Sequence, residues 1–379
     1  MNIFSRARHF GFGDTRSGGD GRGFANSNAG ATVIESQAAN ATFTPVTEER
    51  PRKRPRVGFL GVGWIGRTRM EAMVRTEALE IVGIADTVPE TALQAKNLAP
   101  NAEVVADAED LLRLDLDGLV IATPSAQHAD QCVAALDRGI AVFCQKPLGR
   151  NAPECRRIVE AAREADCLLS VDLSYRFLTG MQQVRKLIRD GALGRIFAAD
   201  VVFHNAYGPD KEWFYDPKSS GGGCVIDLGV HLVDLALWAT DFPRVEKVSS
   251  RLFSKGAPLR DRTRQVEDYA TARIDLANDA TVHLDCSWRL HAGCEARIEA
   301  AFYGTEGGAI LRNVRGSFYD FETVFCRGTK TETLATPPDA WSGRAAAQWA
   351  RRLANDEKFD ASIEHIVPVA ATLDAIYES

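Results

Sequence analysis

Ten residues constrain this chain more than any others: Val57-Gly58-Phe59-Leu60-Gly61-Val62-Gly63-Trp64-Ile65-Gly66. A short apolar run ends in glycines spaced G-x-G-x-x-G, and a helix-like pattern follows. That is the written form of a strand, a tight turn and a helix N-terminus. Gly61 permits the turn, Gly63 lets the backbone approach a ligand, and Gly66 lets helix and strand pack closely. Free backbone N–H groups at the positive end of the helix would then hold a pyrophosphate, with Trp64 and Ile65 in the same bend. Glycine turns after strands are common, so the context decides. Leu79–Ala85 reads as a second buried parallel strand, and Asp86 stands at its end, at the distance where a carboxylate bonds ribose hydroxyls. An acid there repels a 2′-phosphate and favours NAD. Arg67 can receive that phosphate and keeps NADP open. The plain alternative for Asp86 is a turn residue at a strand end.

At 379 residues the chain suits two domains with cores of their own. A net charge of −6 with both signs mixed throughout argues against a nucleic-acid partner. No apolar run of membrane-spanning length and no secretory leader is evident, so the expected setting is cytoplasmic, without a membrane partner. The eight cysteines form no C-x-x-C pair and read as small buried hydrophobes in a reducing compartment. No metal site is expected, which weighs against zinc-dependent alcohol dehydrogenases.

Residues 1–54 are rich in Gly, Ser, Asn, Ala and Arg, a composition that buries too little surface to offset its ordering entropy. They read as a disordered extension or as an arm that wraps a partner subunit. Within the basic run Arg52–Arg56 a nuclear-import patch is the less favoured reading beside solvated chain.

Residues 55–172 alternate short apolar runs (Val57–Leu60, Ile81–Ala85, Gly118–Ala122, Ala141–Cys144, Leu168–Asp172) with helical patterns (Thr68–Thr76, Thr91–Asn97, Ala129–Arg138, Pro153–Ala165). This predicts an α/β domain, a doubly wound parallel Rossmann sheet that binds its ligand at the carboxyl ends of the strands.

Over 173–379 the period changes to two, in Ile196–Asn205, Val245–Ser254, Tyr269–Leu276, Thr281–Leu290, Arg297–Tyr303 and Phe318–Cys326. This predicts an α+β domain with a large, mostly antiparallel open sheet. One helix, Val225–Ala239, interrupts it, and Ala345–Ala354 and Val367–Tyr377 are expected to pack back on the first domain or the sheet. An uncovered sheet face calls for a cover, so a homodimer or homotetramer through it is expected.

Three stretches carry chemistry. In Cys144-Gln145-Lys146-Pro147-Leu148 a lysine follows a strand end, where it would face the nicotinamide; burial and the positive ring would both lower its pKa. In Gly221–His231, Asp227 and His231 are four apart and would share one face of a buried helix, the carboxylate orienting the ring and stabilising its cation. A structural hydrogen bond, or a metal site completed by Asp234 or His204, are the other readings of that pair. In Ala122–His128, Thr123 and Pro124 would line the nicotinamide ribose, and His128 reads as a hydrogen-bonder at a helix start. Tyr175, His204, Trp213 and Tyr215 offer aromatic faces to a sugar ring, and read equally as interface or core residues.

These features together resemble the glucose–fructose oxidoreductase, inositol dehydrogenase and rhizopine-catabolism family (Gfo/Idh/MocA). The matching elements are the glycine turn, Asp86, T-P-x-x-x-H at Thr123–His128, K-P at Lys146-Pro147, Y-R-F at Tyr175–Phe177, G-x-L-G at Gly191–Gly194, and G-G-G followed by D-x-G-x-H at Asp227–His231. Val266-Glu267-Asp268 and Gly304–Gly307 also fit. The resemblance covers residues 56 to 379. It implies that Lys146, Asp227 and His231 work on a sugar or polyol hydroxyl, and it places Gln145 and Arg176 near cofactor or substrate. Members usually carry Glu before the Lys-Pro; Gln145 removes a charge beside the nicotinamide.

The expected activity is an NAD(P)-dependent dehydrogenase acting on the CH–OH group of a sugar or cyclic polyol, with His231 as base and Lys146 stabilising the alkoxide. The alternatives are an oxidoreductase that retains and recycles its NAD, and a nicotinamide-sensing regulator without turnover.

Overall fold

Each short apolar run of the first half becomes a strand buried on both faces. The computed structural model describes residues 54–379; the extension expected over residues 1–54 lies, Arg54 apart, outside them. Strands β1 (Arg56–Leu60), β2 (Glu80–Ala85), β3 (Glu103–Val105), β4 (Gly118–Ile121), β5 (Ala141–Cys144) and β6 (Leu169–Val171) form a six-stranded sheet in the order β3-β2-β1-β4-β5-β6. Every pairing in it is parallel. The order reverses between β1 and β4, which opens a crevice at their carboxyl ends.

Helices α1 (Trp64–Val74), α2 (Pro89–Lys96), α3 (Ala108–Leu112), α4 (Ser125–Leu136) and α5 (Ala152–Glu164) connect these strands. On one face of the sheet Phe59, Ile84, Val120 and Phe143 pack with Met70 and Met73 of α1. On the other, Leu119, Ile121, Val142 and Cys144 pack with Cys132, Leu136 and Ile158. Asn151 caps α5 by accepting from the Glu154 amide at 2.9 Å. Strand β3 and helix α3 were not expected, because three half-exposed residues and a one-turn helix carry almost no period.

The second sheet has nine strands: β7 (Ile196–Asn205), β8 (Val245–Ser254), β9 (Ala257–Pro258), β10 (Tyr269–Leu276), β11 (Thr281–Ser287), β12 (Ala296–Gly304), β13 (Gly308–Asn313), β14 (Phe321–Arg327) and β15 (Lys330–Ala335). Their order is β15-β14-β13-β12-β7-β11-β10-β8-β9. All pairs are antiparallel except β7 with β11, so the sheet is mostly antiparallel, as the alternation implied. Strands β13 and β15 had not been anticipated. Nor had helix α6 (Thr179–Arg189), which buries only Gly180, Met181 and Val184 among charged neighbours.

After the one-turn α7 (Pro217–Ser220), the chain enters a π-helical turn, Val225–Gly229, that runs straight into α8 (Val230–Ala239). Every residue of α8 is buried, so its apolar side chains are wanted on all sides. Pro217–Ala239 is in fact apolar and long enough to cross a membrane, contrary to the sequence reading, but its most apolar window is 94% buried inside the protein, as befits a core helix. The glycines and the polar Asp227 and His231 disguise that continuity. Helix α9 (Arg344–Ala354) lays Trp349 on the parallel sheet, its ring 5.8 Å from Phe143. Helix α10 (Ile366–Glu378) joins the core with Val369, Leu373 and Ile376.

Candidate active site

The glycine turn has the geometry its spacing demands. Gly61 sits at φ 83°, and a Cβ there would lie 2.6 Å from the Ala122 carbonyl oxygen. A Cβ on Gly66 would lie 2.2 Å from the Gly61 oxygen, so this glycine sets how closely helix meets strand. Around Gly63 the space is open for 4 Å, and no side chain caps α1. The first turn of the helix therefore faces the crevice as a cradle for an anionic diphosphate. Asp86 accepts from the Val62 amide at 2.8 Å and from the Val88 amide at 2.9 Å, which pins its carboxylate across the mouth of the turn. Each oxygen keeps a lone pair for a ribose hydroxyl. Arg67 reaches Gln94 of α2 at 3.0 Å. Gly66→Ala is expected to destabilise the fold by about 3 kcal/mol and to abolish dinucleotide binding, because two backbones have no room to part; a thermal melt with and without NADH checks both.

Lys146 and Asp227, 81 positions apart, meet in the cleft. Lys146 Nζ donates to Asp227 Oδ1 at 2.8 Å and to its backbone carbonyl at 2.7 Å. The other carboxylate oxygen, Oδ2, accepts from the Trp288 indole at 3.0 Å. Two of the three ammonium protons are thus used, and one remains for a ligand. Trp288, 2% exposed, was not foreseen; the sequence reading carried the β11 alternation through it to Leu290.

The expected hydrogen bond from Asp227 to His231 is not made. The five residues Val225–Gly229 form a π turn, which widens the helix and swings residues four apart out of register. The Asp227 carboxylate turns to Lys146 and Trp288 instead. His231 Nδ1 is buried with no partner among the described residues. The ring is held by packing: Tyr175 meets it edge-on at 4.9 Å, and Phe203 lies 6.5 Å away. Burial first, then the charges of Lys146 and Arg69, push the imidazole pKa well below its ordinary value, so the ring is neutral at physiological pH.

The turn itself is anchored from behind by Glu267, 1% exposed. Its Oε1 accepts from the Gly223 amide at 2.9 Å, the Val225 amide at 2.9 Å and the Tyr377 hydroxyl at 2.8 Å. A Cβ on Gly223 would lie 1.9 Å from the Glu267 carbonyl oxygen, which explains a glycine there.

Other expected site residues are placed differently. Arg176 pairs with Asp234 of α8 through Nε at 2.8 Å and Nη2, and lies over the Trp238 and Phe242 rings. The pairing ties the Tyr175–Phe177 turn to α8 and occupies Asp234. His204 points to the opposite face of the big sheet: β7 buries Ala199, Val201 and Phe203 toward α8, and His204 has the other parity. There it stacks on Tyr269 and bonds Ser287 at 2.8 Å, so it lines no substrate pocket. His128 is 1% exposed, with Nδ1 2.7 Å from the Pro147 carbonyl and Nε2 2.8 Å from the Thr123 carbonyl. It supports the two loops at the cleft from below and offers nothing to a cofactor directly; Thr123 and Pro124 stay at the β4 end.

Tyr175 sits among Phe203, Phe321 and Trp341 as well as His231. Burial pushes its phenol far up, which keeps it protonated. Trp213 stacks on Phe214 at 3.8 Å, and Phe214 and Tyr215 both meet Trp288 edge-on. This brings the Trp213–Tyr215 segment to within one ring of Asp227.

Residues 55–173 match the NAD-binding Rossmann fold of the oxidoreductase family, and residues 181–310 match the GFO/IDH/MocA C-terminal domain. The chain belongs to the Gfo/Idh/MocA oxidoreductases. Among curated relatives of this oxidoreductase is the rhizopine catabolism protein MocA of Rhizobium meliloti, 31% identical over 79% of this chain and 95% of that protein. The D-glucoside 3-dehydrogenase of Escherichia coli (strain K12) is 26% identical over 68% of this chain and 76% of the relative. A levoglucosan dehydrogenase solved with NADH and levoglucosan shares the fold with a TM-score of 0.74 at 22% identity, covering 86% of this chain and 97% of that one. The protein is thus an NAD-binding oxidoreductase, and the open cradle at Gly63 is where its residues fit that cofactor.

Proposed function

We propose that this Gfo/Idh/MocA oxidoreductase oxidises a secondary hydroxyl of a sugar or cyclic polyol, an inositol dehydrogenase-like reaction. The observation that carries this reading is Lys146, fixed by Asp227 with one N–H left over, in a cleft where a neutral His231 has its buried Nδ1 unpartnered among the described residues. Relatives named D-glucoside 3-dehydrogenase, D-apiose dehydrogenase and inositol 2-dehydrogenase support a polyhydroxylated ring or chain as substrate.

When bound, the nicotinamide supplies the two-electron acceptor. The chain's own residues do the rest. The glycine turn and Asp86 hold the dinucleotide. His231 accepts the hydroxyl proton as a neutral base. The third ammonium proton of Lys146 donates to the same oxygen and stabilises the charge that develops on it, while Asp227 holds the lysine in place. Trp213 and Tyr215 give a sugar ring aromatic faces at the rim, and the buried Tyr175 beside His231 closes the inner wall. Turnover with NAD across inositols, pyranosides and sugar acids, followed at the NADH absorbance, tests the reading; no reduction of NAD by any of them sinks it.

NAD is preferred over NADP, because Asp86 lies where a 2′-phosphate would bring a second negative charge. Asp86→Ser is expected to raise the KM for NAD about tenfold and to shrink the NAD-to-NADP ratio, read from steady-state kinetics with both cofactors.

The open face of the second sheet presents Asp200, Arg251, Arg273, Asp285, Arg297 and Glu299 in mixed signs. Such a face is self-complementary under a two-fold axis, which makes a homodimer, or a tetramer built from it, the proposed assembly in the cytoplasm. A sedimentation mass of one chain would end that part.

A further inference from the structure

Four polar side chains meet in the floor of the cleft and take no part in the scheme above. Asp172, just past β6, is 1% exposed, Ser174 4%, and Arg69 of α1 7%. Arg69 Nε donates to Asp172 Oδ2 at 2.5 Å, and its Nη2 to Ser174 Oγ at 3.1 Å. Ser174 Oγ donates to Asp172 Oδ1. The fourth member is Gln145, whose Nε2 donates to Asp172 Oδ2. The Asp172 amide donates to the Cys144 carbonyl at 2.9 Å, which locks the end of β6 beside the end of β5. Gln145 directly precedes Lys146, so the cluster stands beside the lysine that Asp227 holds.

The cluster settles the orientation of one carboxamide. A carboxylate paired with Arg69 accepts and does not donate, so the amide nitrogen of Gln145 must face it. The Gln145 oxygen is the end left over, and no described residue donates to it. A carboxylate at position 145 would instead confront Asp172 Oδ2, and two carboxylates at that separation do not both stay ionised without a large penalty. With glutamine, Asp172 is neutralised by Arg69, and the wall next to Lys146 presents a carbonyl dipole in place of a full negative charge.

We propose that Asp172, held by Arg69 and Ser174, is a positioning residue that fixes the Gln145 carboxamide at the nicotinamide site, and that this neutral wall sets the relative affinity for reduced and oxidised cofactor. This rests on the dinucleotide reading of the cleft. The oxidised ring is a cation and the reduced ring is neutral. A full negative charge beside the ring favours the cation, whereas a carbonyl dipole favours it only weakly, so this chain retains the reduced form better than a glutamate-bearing site would.

The test is the ratio Kd(NADH)/Kd(NAD⁺), from NADH fluorescence titration and its displacement by NAD⁺. In the double variant Asp172→Asn with Gln145→Glu, the hydrogen bond is reversed and the charge moves to position 145; the ratio is expected to rise about tenfold. Gln145→Glu alone is expected to raise it less at neutral pH and to make it pH-dependent, because the facing carboxylates share a proton. Gln145→Met keeps the Arg69–Asp172 pair and the side-chain length, and is expected to lower the ratio about threefold through loss of the oriented dipole. Should the double variant lack a cooperative thermal transition, the two single variants decide. Ratios equal to wild type in the folded variants overturn the proposal and leave the dinucleotide reading intact. A wild-type protein that binds neither form overturns both.

Discussion

Lys146→Met is expected to lower kcat/KM for the sugar or polyol by about a thousandfold, with NADH affinity changed by no more than about threefold. The ammonium is fixed at two points, by the carboxylate and the carbonyl of Asp227, and keeps one N–H for the substrate oxygen. Methionine retains the volume and removes every donor, so the developing oxyanion loses its stabilisation while the diphosphate cradle, on other elements, is untouched. Arginine is not expected to rescue, since its planar fork cannot place one N–H on the substrate while two others satisfy Asp227. Trp288 still donates to Asp227 Oδ2 in the variant, which keeps the carboxylate from wandering and the fold from answering for the loss. Turnover within tenfold of wild type, with binding intact, would show that the lysine is scaffolding.

His231→Asn is expected to reduce kcat by about a hundredfold to ten-thousandfold, the range for loss of a general base. Its signature is in the pH profile. Burial and two neighbouring cations hold the imidazole pKa below 6.5, so the wild-type oxidation rate keeps its plateau at neutral pH and falls only in acid, where the ring takes up a proton. The variant is expected to lose that acid limb. Stability moves with the same group. Because the folded pKa is depressed, the unfolded chain binds more protons between the folded pKa and 6.5, and the protein loses stability as pH falls through that window. Above 6.5 neither state binds the proton and the contribution is flat. Thermal melts across this range in wild type and His231→Asn separate the two; identical slopes would place the titration elsewhere.

How much of this was legible depended on whether the code was local. Ala141–Cys144, Ile196–Asn205, Val245–Ser254 and Tyr269–Leu276 begin and end where their apolar pattern does, because a strand's burial is written in its own residues. Lys330–Ala335 is half-exposed at best and pairs only because a turn returns it to β14, so its sequence holds little period. The π turn left no trace: Val-Ile-Asp-Leu-Gly reads as helix in any register, and a hydrogen bond was assigned across it that the wider turn forbids. His204 was different, since its parity is opposite to that of the buried Val201 and Phe203 of β7 and already places it on the far face. Arg176 and the Arg69–Asp172 pair depend on which elements meet in space, and no spacing in the chain announces that.

The hydroxyl of Tyr377, near the carboxyl end of α10, reaches the same Glu267 oxygen that holds the Gly223 and Val225 amides. The last helix is therefore a wedge under the bend that aims Asp227 at Lys146. A change at Tyr377, far from the cleft in sequence, is therefore expected to slow turnover by loosening Glu267 rather than by touching any reacting group.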